Sequence, residues 1–148
     1  MQKNLSLNMG WLLVLCAMLF AGCQKDKYQT TPQLKFEDVN TKVLARNQTI
    51  QFTLSFTDAE GDLTDNLFVI KVDPNCANSF FTAGYPLPTF PSGKNQKGEV
   101  TVTFSYNDVS PKCFPRNDTA TFKFILRDKA QHTSDTAVSS YCDPSINW

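Results

Sequence analysis

The sequence is poor in the residues and motifs on which most enzymes depend. It contains one histidine, His132, which excludes a zinc site built from several histidines and leaves a Ser-His-Asp triad only one candidate base. It also lacks a Gly-x-Ser-x-Gly elbow, a phosphate-binding loop and a glycine-rich dinucleotide fingerprint. We therefore expect no catalytic residues, and we interpret His132, which stands beside a predicted turn, as a surface residue.

An excess of charge of either sign is absent as well. The 14 basic and 14 acidic residues cancel, and neither sign forms a stripe or a block. Nucleic acid is not expected as a partner, since it requires a concentrated basic surface, and an acidic disordered tail is not expected either. The chain is long enough for one domain whose core needs neither a metal nor oligomerisation to fold.

No apolar run is long enough to cross a bilayer, but a shorter run lies near the N-terminus. After Lys3, residues 9–20 form an apolar stretch of about a dozen residues, whereas a spanning helix needs roughly 20. A charged start followed by such a stretch is typical of a secretion signal peptide. We predict that residues 1–22 are this signal.

The residues that end this signal indicate a lipid modification. Leu19-Phe20-Ala21-Gly22-Cys23 resembles the lipobox of bacterial lipoproteins, in which small residues precede the cleavage point and the cysteine thiol takes the diacylglycerol. The resemblance implies that Cys23 is the lipid-bearing first residue of the mature protein. Two or more acyl chains hold a protein stably on a membrane, so the membrane is the first expected partner.

The residues after Cys23 bear on where the protein resides. Gln24-Lys25-Asp26-Lys27 resembles the short charged export signal of Bacteroidota lipoproteins, which implies a lipoprotein of the outer membrane that faces the outside of the cell. A solvated polar linker has the same composition, and this alternative stays open. Under either interpretation of residues 24–27, residues 23–33 are expected to form the lipidated cysteine and a polar tether.

Beyond the tether, apolar residues recur at every second position, opposite Thr, Ser, Gln or Lys, which is typical of half-buried strands. No stretch after the signal shows helical spacing. We predict an all-β fold, an antiparallel immunoglobulin-like β-sandwich of six or seven strands over residues 34–148. A fourth strand is expected within residues 77–98, and the others at residues 34–39, 50–56, 67–72, 100–106, 120–126 and 133–139.

Two segments carry a family resemblance. The first runs from Phe56 to Leu63 (FTDAEGDL), and the second runs from Leu126 to Asp135 (LRDKAQHTSD). They are similar to turns of bacterial immunoglobulin-like, cadherin-like and PKD-like modules, although Gln131 stands where glycine is usual. The resemblance implies the same sandwich fold and a role in binding.

An acidic loop follows the second predicted strand, and its carboxylates surround Gly61. In a seven-strand sandwich this loop lies at the same end as residues 128–132. Calcium takes six to eight oxygen ligands, so we consider calcium a candidate cofactor. The alternative is a solvated turn in which an aspartate caps the backbone and Gly61 supplies a positive φ. The candidate ligands are Asp58, Glu60, Asp62, Asp65 and Asp128.

Three cysteines follow Cys23 in a compartment that is expected to be oxidising. Cys76 and Cys113 lie in turn-rich segments that the seven-strand arrangement places at one end of the sandwich. We predict a disulfide between these two residues. Cys142 lies close to the C-terminus and is left over.

An aromatic, proline-rich segment covers residues 78–98. Aromatic side chains on a loop stiffened by proline suit stacking on sugar rings or docking on a partner protein. The alternative is that they fold back to cover an edge of the sandwich. The candidate ligand contacts are Phe80, Phe81, Tyr85 and Phe90.

Together these features predict a surface-anchored lipoprotein that acts as a non-enzymatic binding or accessory module for a protein or a glycan. The alternative is a purely structural envelope lipoprotein stiffened by calcium and the disulfide. In the predicted orientation the acidic loops face the membrane, and the aromatic segment points away from it.

Overall fold

The computed structural model describes residues 29–63, 66–91, 93–109, 112–113 and 119–139. Three of the predicted positions lie outside them, and these are Cys23, Asp65 and Cys142.

The described residues form seven strands and almost no helix, which confirms the all-β prediction. The only helical pieces among them are a 3-10 turn at Ala77–Ser79 and a four-residue helix, α1, at Tyr106–Val109. Within the same residues, no helix has the length and apolar character needed to cross a membrane. The strands are β1 Gln33–Val39, β2 Thr49–Asp58, β3 Asn66–Val72, β4 Phe81–Pro86, β5 Gln96–Ser105, β6 Thr121–Leu126 and β7 Ala137–Val138.

The strands form two antiparallel sheets that pack face to face. The three-stranded sheet has the order β1-β2-β5, and the four-stranded sheet has the order β4-β3-β6-β7. In immunoglobulin-like sandwiches strands A, B and E share one sheet and strands C, F and G share the other, and six of the strands here follow this arrangement. The fourth strand, expected within residues 77–98, pairs with β3 from Phe81 opposite Lys71 to Pro86 opposite Asn66.

The last strand is shorter than the predicted 133–139, and two serines explain why. The Oγ of Ser134 accepts the backbone N–H of Leu126 at 2.9 Å, and the Oγ of Ser139 accepts that of Phe122 at 3.0 Å. Each hydroxyl takes a ladder position that a backbone carbonyl would otherwise occupy. Regular pairing with β6 is therefore limited to Ala137 and Val138.

The core is aromatic and centres on Phe52, which is fully buried. The ring of Phe52 lies 4.6 Å from that of Phe122 and 5.2 Å from that of Phe124, so it joins the two sheets directly. Phe104 on β5 packs against both Phe52 and Phe122. The alternation that predicts the strands from the sequence is the pattern of inward side chains that builds this core.

Strand direction assigns every loop to one of two ends. At the tether end, the amide of Ala59 donates to the carbonyl of Gln29, which precedes β1, and the amide of Lys129 donates to the carbonyl of Asp62. The loop after β2 therefore meets the loop after β6, as predicted. At the opposite end, the disulfide end, the connections β3–β4 and β5–β6 lie together.

The predicted disulfide between Cys76 and Cys113 is present at this opposite end. Their Cα atoms are 5.9 Å apart, within the range of native disulfides. The bond joins the β3–β4 connection to the β5–β6 connection and closes a loop with a sequence separation of 37 residues. In the chain-entropy model such a loop contributes about 3–4 kcal/mol.

Replacing both cysteines in a Cys76→Ser, Cys113→Ser variant is expected to lower the free energy of unfolding by about 3–4 kcal/mol. Urea titration followed by far-UV circular dichroism measures this loss. Reduced wild-type protein should match the double variant, and Cys142→Ser is the control. An unchanged unfolding midpoint in the double variant would show that the bond adds nothing.

Candidate functional site

The acidic turn after β2 is organised by Asp58, whose side chain is fully buried. Its carboxylate accepts the amides of Glu60 at 3.3 Å, Gly61 at 2.8 Å and Asp62 at 3.1 Å. Aspartate at the start of a turn commonly satisfies the following amides in this way. Asp58 therefore performs the capping role that the alternative interpretation of this loop assigned to it.

Gly61 is fixed at this turn by two independent constraints. Its φ of +72° lies in the left-handed region, which favours glycine because glycine has no Cβ. A Cβ at this position would also lie 1.8 Å from the carbonyl oxygen of Gly93. The acidic turn and the β4–β5 loop are thus in direct backbone contact at the tether end.

The loop after β6 is organised in the same way, by a second buried aspartate, Asp128, that accepts a backbone amide of its own turn. Its Oδ1 accepts the backbone amide of His132 at 2.8 Å, and its Oδ2 lies 3.1 Å from the Nδ1 of the same histidine. Gln131 has a φ of +69°. This residue therefore adopts the left-handed backbone conformation that glycine most readily takes.

The two acidic loops are joined through Asp62. Its Oδ2 accepts the amide of Ala130 at 3.2 Å, in addition to the contact between its carbonyl and the amide of Lys129. Its Oδ1 is buried but receives no hydrogen bond from any described residue. A buried carboxylate oxygen without a donor is rare and calls for a physical explanation.

At this junction the structure brings Glu60 and Asp128 together with His132. One ligand atom from each of the three residues lies within 4.8 Å of the other two. Glu60 and Asp128 are among the predicted metal ligands. His132 is exposed, as predicted, but the sequence analysis did not assign it to this site. The signal that could have identified it is its position four residues after Asp128, in the loop expected at the same end as Glu60.

The four candidate aromatic contacts do not lie on one loop. Phe80 and Phe81 are at the disulfide end, Tyr85 is on β4, and Phe90 is in the loop that returns to the tether end. The expected orientation, with the whole aromatic segment away from the acidic loops, is therefore wrong. The reason is that β4 carries the chain from one end of the sandwich to the other.

Three of these aromatic side chains pack back onto the sandwich. Phe81 and Tyr85 contact the ring of Phe104 edge-on at 6.0 and 5.7 Å, and Phe90 contacts Phe56 at 4.9 Å. Burial, followed by the nearby charge of Asp108, raises the pKa of Tyr85. Phe80 alone of the four is mostly exposed, with 54% of its surface accessible.

The outer face of the four-stranded sheet carries an apolar patch that the sequence analysis did not identify. On β3, alternate residues point inward and are buried, while Phe68, Ile70 and Val72 point outward and are half-buried. The partners across β6 and β7 extend the patch, because Ile125 pairs with Phe68 and Val138 stands beside Lys123. We call these five apolar residues the outer patch: Phe68, Ile70, Val72, Ile125 and Val138.

Two basic residues on β6 and just after it border the outer patch. Lys123 pairs with Ile70 across the sheet, and the guanidinium carbon of Arg127 lies 4.8 Å from the centre of the Phe68 ring. This distance is typical of a cation–π contact. The patch therefore combines an aromatic and aliphatic surface with positive charge.

The disulfide end also contains a buried lysine that the sequence analysis did not identify. Lys71 is 1% exposed, and its Nζ donates to the Oγ of Ser79 and to the carbonyl of Val109 at 2.8 Å. Burial lowers the pKa of Lys71 to about 8, and the charge of Asp73 partly opposes this shift. Lys71 ties β3 to the same two connections that the disulfide joins.

This burial predicts a specific dependence of stability on pH. Since the pKa of Lys71 is about 8 in the folded protein and 10.5 as its ordinary value, the unfolded chain holds this proton more tightly. The free energy of unfolding should therefore rise between pH 8 and 10.5, by on the order of 3 kcal/mol. Below pH 8 this group contributes no slope.

In Lys71→Met this rise should be lost, while the exposed Lys97→Met variant should keep it. Urea unfolding of the three proteins across the same pH window provides the measurement. The difference between wild type and Lys71→Met cancels the titration of all other groups. Parallel pH curves for these two proteins would exclude the proposed lowering of the Lys71 pKa.

Comparison with models of protein families gives no matching family, and comparison with curated proteins gives no significant match. The function is therefore argued from the geometry of this chain alone. Three features of the structure bear on function: the junction of the acidic loops, the outer patch, and the disulfide end.

Proposed function

We propose that this chain is a lipid-anchored, non-enzymatic binding module of the cell envelope, and that the outer patch docks an acidic partner protein. The observation that carries this proposal is the concentration of outward-pointing apolar side chains on one sheet face, where four are half-buried and Val138 is exposed. The outer faces of the two sheets belong to the same fold and have the same freedom to be polar, but they differ in composition.

The outer face of the three-stranded sheet is polar, as expected of a face in water. Its outward positions along β2 and β5 are occupied by Gln51, Thr53, Ser55, Thr101 and Thr103, among others. The corresponding positions along β3 are Phe68, Ile70 and Val72. A contiguous apolar patch with polar surroundings is the usual mark of an interaction surface.

The charges around the outer patch indicate the character of the partner. Among the described residues that point outward from the four strands, or follow β6 directly, the charged ones are Lys123 and Arg127. Aromatic residues and arginine are enriched in the centres of protein interfaces, and a basic border favours an acidic complement. A partner with apolar side chains flanked by carboxylates fits both properties.

The proposed anchor would leave the outer patch accessible to a partner at the membrane. Gln29 and the start of β1 lie at the tether end, so a chain attached through Cys23 holds that end towards the membrane. The strands then rise from the membrane, and the outer patch faces sideways. A partner in or on the same membrane would reach it directly.

A second candidate function is a structural role without a partner, in an envelope lipoprotein stiffened by calcium and the disulfide. The disulfide between Cys76 and Cys113 favours it, since the bond fixes the end farthest from the tether. Calcium would act at the tether end through the acidic loops. The experiments below separate this role from docking.

The lipid anchor is tested with Cys23→Ala in cells of the source organism. The variant is expected to lose incorporation of labelled fatty acid and either to leave the membrane fraction or to accumulate as uncut precursor. Cys142→Ser is the matched control and should be labelled like the wild type. Normal labelling of Cys23→Ala would place the lipid on another residue, and absence of label from the wild type would exclude the anchor.

Docking is tested with a photo-crosslinking amino acid placed at Ile70 and, as the control, at Thr103 on the outer face of the other sheet. We expect a discrete protein adduct from position 70 only, and its loss when Lys123→Glu is added. Adducts at both positions, or none at 70 in correctly anchored protein, would contradict docking and favour the structural role. An adduct that glycosidases remove would identify a glycan instead.

A further inference from the structure

We propose that the junction of the two acidic loops binds a divalent transition-metal ion, with Zn²⁺ as the chemical type. The ligands are a carboxylate oxygen of Glu60, a carboxylate oxygen of Asp128 and a ring nitrogen of His132. This site lies at the tether end and does not depend on the outer patch. It differs from the calcium site expected from the sequence in its ligand set.

The chemistry of the three groups distinguishes the two kinds of ion. Calcium takes six to eight oxygen ligands, and the carboxylate of Asp58 is already engaged by three backbone amides. Imidazole nitrogen together with carboxylate oxygen suits zinc and related metals, which need only three protein ligands and a fourth position for water. His132, the single histidine of the chain, supplies that nitrogen.

The distances fit a small tetrahedral site. With metal–ligand bonds of 2.0–2.2 Å, two ligand atoms on one tetrahedral edge are about 3.4 Å apart. The Nδ1 of His132 lies 3.1 Å from the Oδ2 of Asp128, and all three candidate ligand atoms lie within 4.8 Å of one another. Shifts of up to about 1.4 Å, mainly in the exposed Glu60, therefore suffice to surround an ion.

A second observation at the same junction points to a cation. The buried Oδ1 of Asp62 receives no hydrogen bond from the described residues, while its Oδ2 is held by the amide of Ala130 in the Asp128 loop. An ionised oxygen that is removed from water without a donor is costly. Asp62 is not one of the three residues whose ligand atoms cluster, so a metal ion at this junction would supply the missing positive charge through its bound water.

The loops hold the ligands in place before an ion arrives. Asp128 is fully buried, and its Oδ1 accepts the amide of His132, so one loop positions two of the three ligands. The contacts of Asp62 with Lys129 and Ala130 fix the turn that carries Glu60. Glu60 and His132 are exposed, which leaves an open path for the ion and a free position for water or a fourth ligand.

The test is titration of the purified full-length chain with Zn²⁺ by calorimetry and with Co²⁺ by visible absorption. We expect one bound ion, and Co²⁺ bands of the intensity typical of tetrahedral nitrogen and oxygen coordination. His132→Gln and Glu60→Gln should each weaken Zn²⁺ binding at least about tenfold. Since Glu60 is exposed, its variant leaves the packing of the two loops intact.

Two matched controls separate this site from other sources of binding. Glu99→Gln removes an exposed carboxylate on the outer face of the three-stranded sheet and should bind Zn²⁺ like the wild type. Cys142→Ser should do the same. Loss of binding in Cys142→Ser with full binding in His132→Gln would overturn the proposal, as would a response of the melting temperature to Ca²⁺ but not to Zn²⁺.

Discussion

The contact of Phe52 with the two phenylalanines of β6 is the interaction on which the rest of the structure depends. Phe52 belongs to the three-stranded sheet and Phe122 and Phe124 belong to the four-stranded one, with ring centres 4.6 and 5.2 Å from that of Phe52. Burying an aromatic side chain of this size contributes several kcal/mol, as the roughly 3–5 kcal/mol cost of Phe→Ala substitutions in cores shows. This contact holds β2 against β6 across the core, and with them the residues that follow each strand.

The positions of the two buried aspartates at the tether end follow from this packing of β2 against β6. Asp58 ends β2, and Asp128 comes two residues after β6, where the chain leaves the apolar core and its amides lose their strand partners. Each carboxylate accepts those amides locally, which satisfies the backbone without water. Loops built in this way are stiff, and stiffness is what allows Glu60 and His132 from different loops to stay close enough to share an ion.

The parts of this structure that could be predicted from the sequence are those set by local pattern. Alternation such as Ile50, Phe52 and Leu54 against Gln51 and Thr53 specifies both the strand and its buried face, and turn parity then placed the acidic loops together and paired Cys76 with Cys113. The outer patch could not be identified from the sequence because a continuous apolar run such as residues 67–70 is compatible with burial on both faces. Which of its side chains point away from the core is known only when the layer that packs on each face of the sheet is known.

The position of β4 and the role of Lys71 could not be predicted because they depend on contacts between distant segments. Gly84 and Pro86 weaken the strand signal of β4, and pairing with β3 rather than β5 leaves no local trace in the sequence. Lys71 interrupts the inward pattern of Leu67 and Val69, and a lysine at such a position is normally assigned to the surface. Its acceptors, Ser79 and the Val109 carbonyl, become neighbours only after the chain has folded.

The edges of the sheets give a reason why association through the outer patch is favoured over addition of a strand. Pro86 ends the edge strand β4, a break in register between Phe36 and Asp38 bends the edge strand β1, and the edge strand β5 carries the exposed charges of Lys97 and Glu99. Proline, bulges and charges are the devices by which sheet edges resist pairing with another chain. A partner that covers the outer patch gains apolar burial without disturbing a strand.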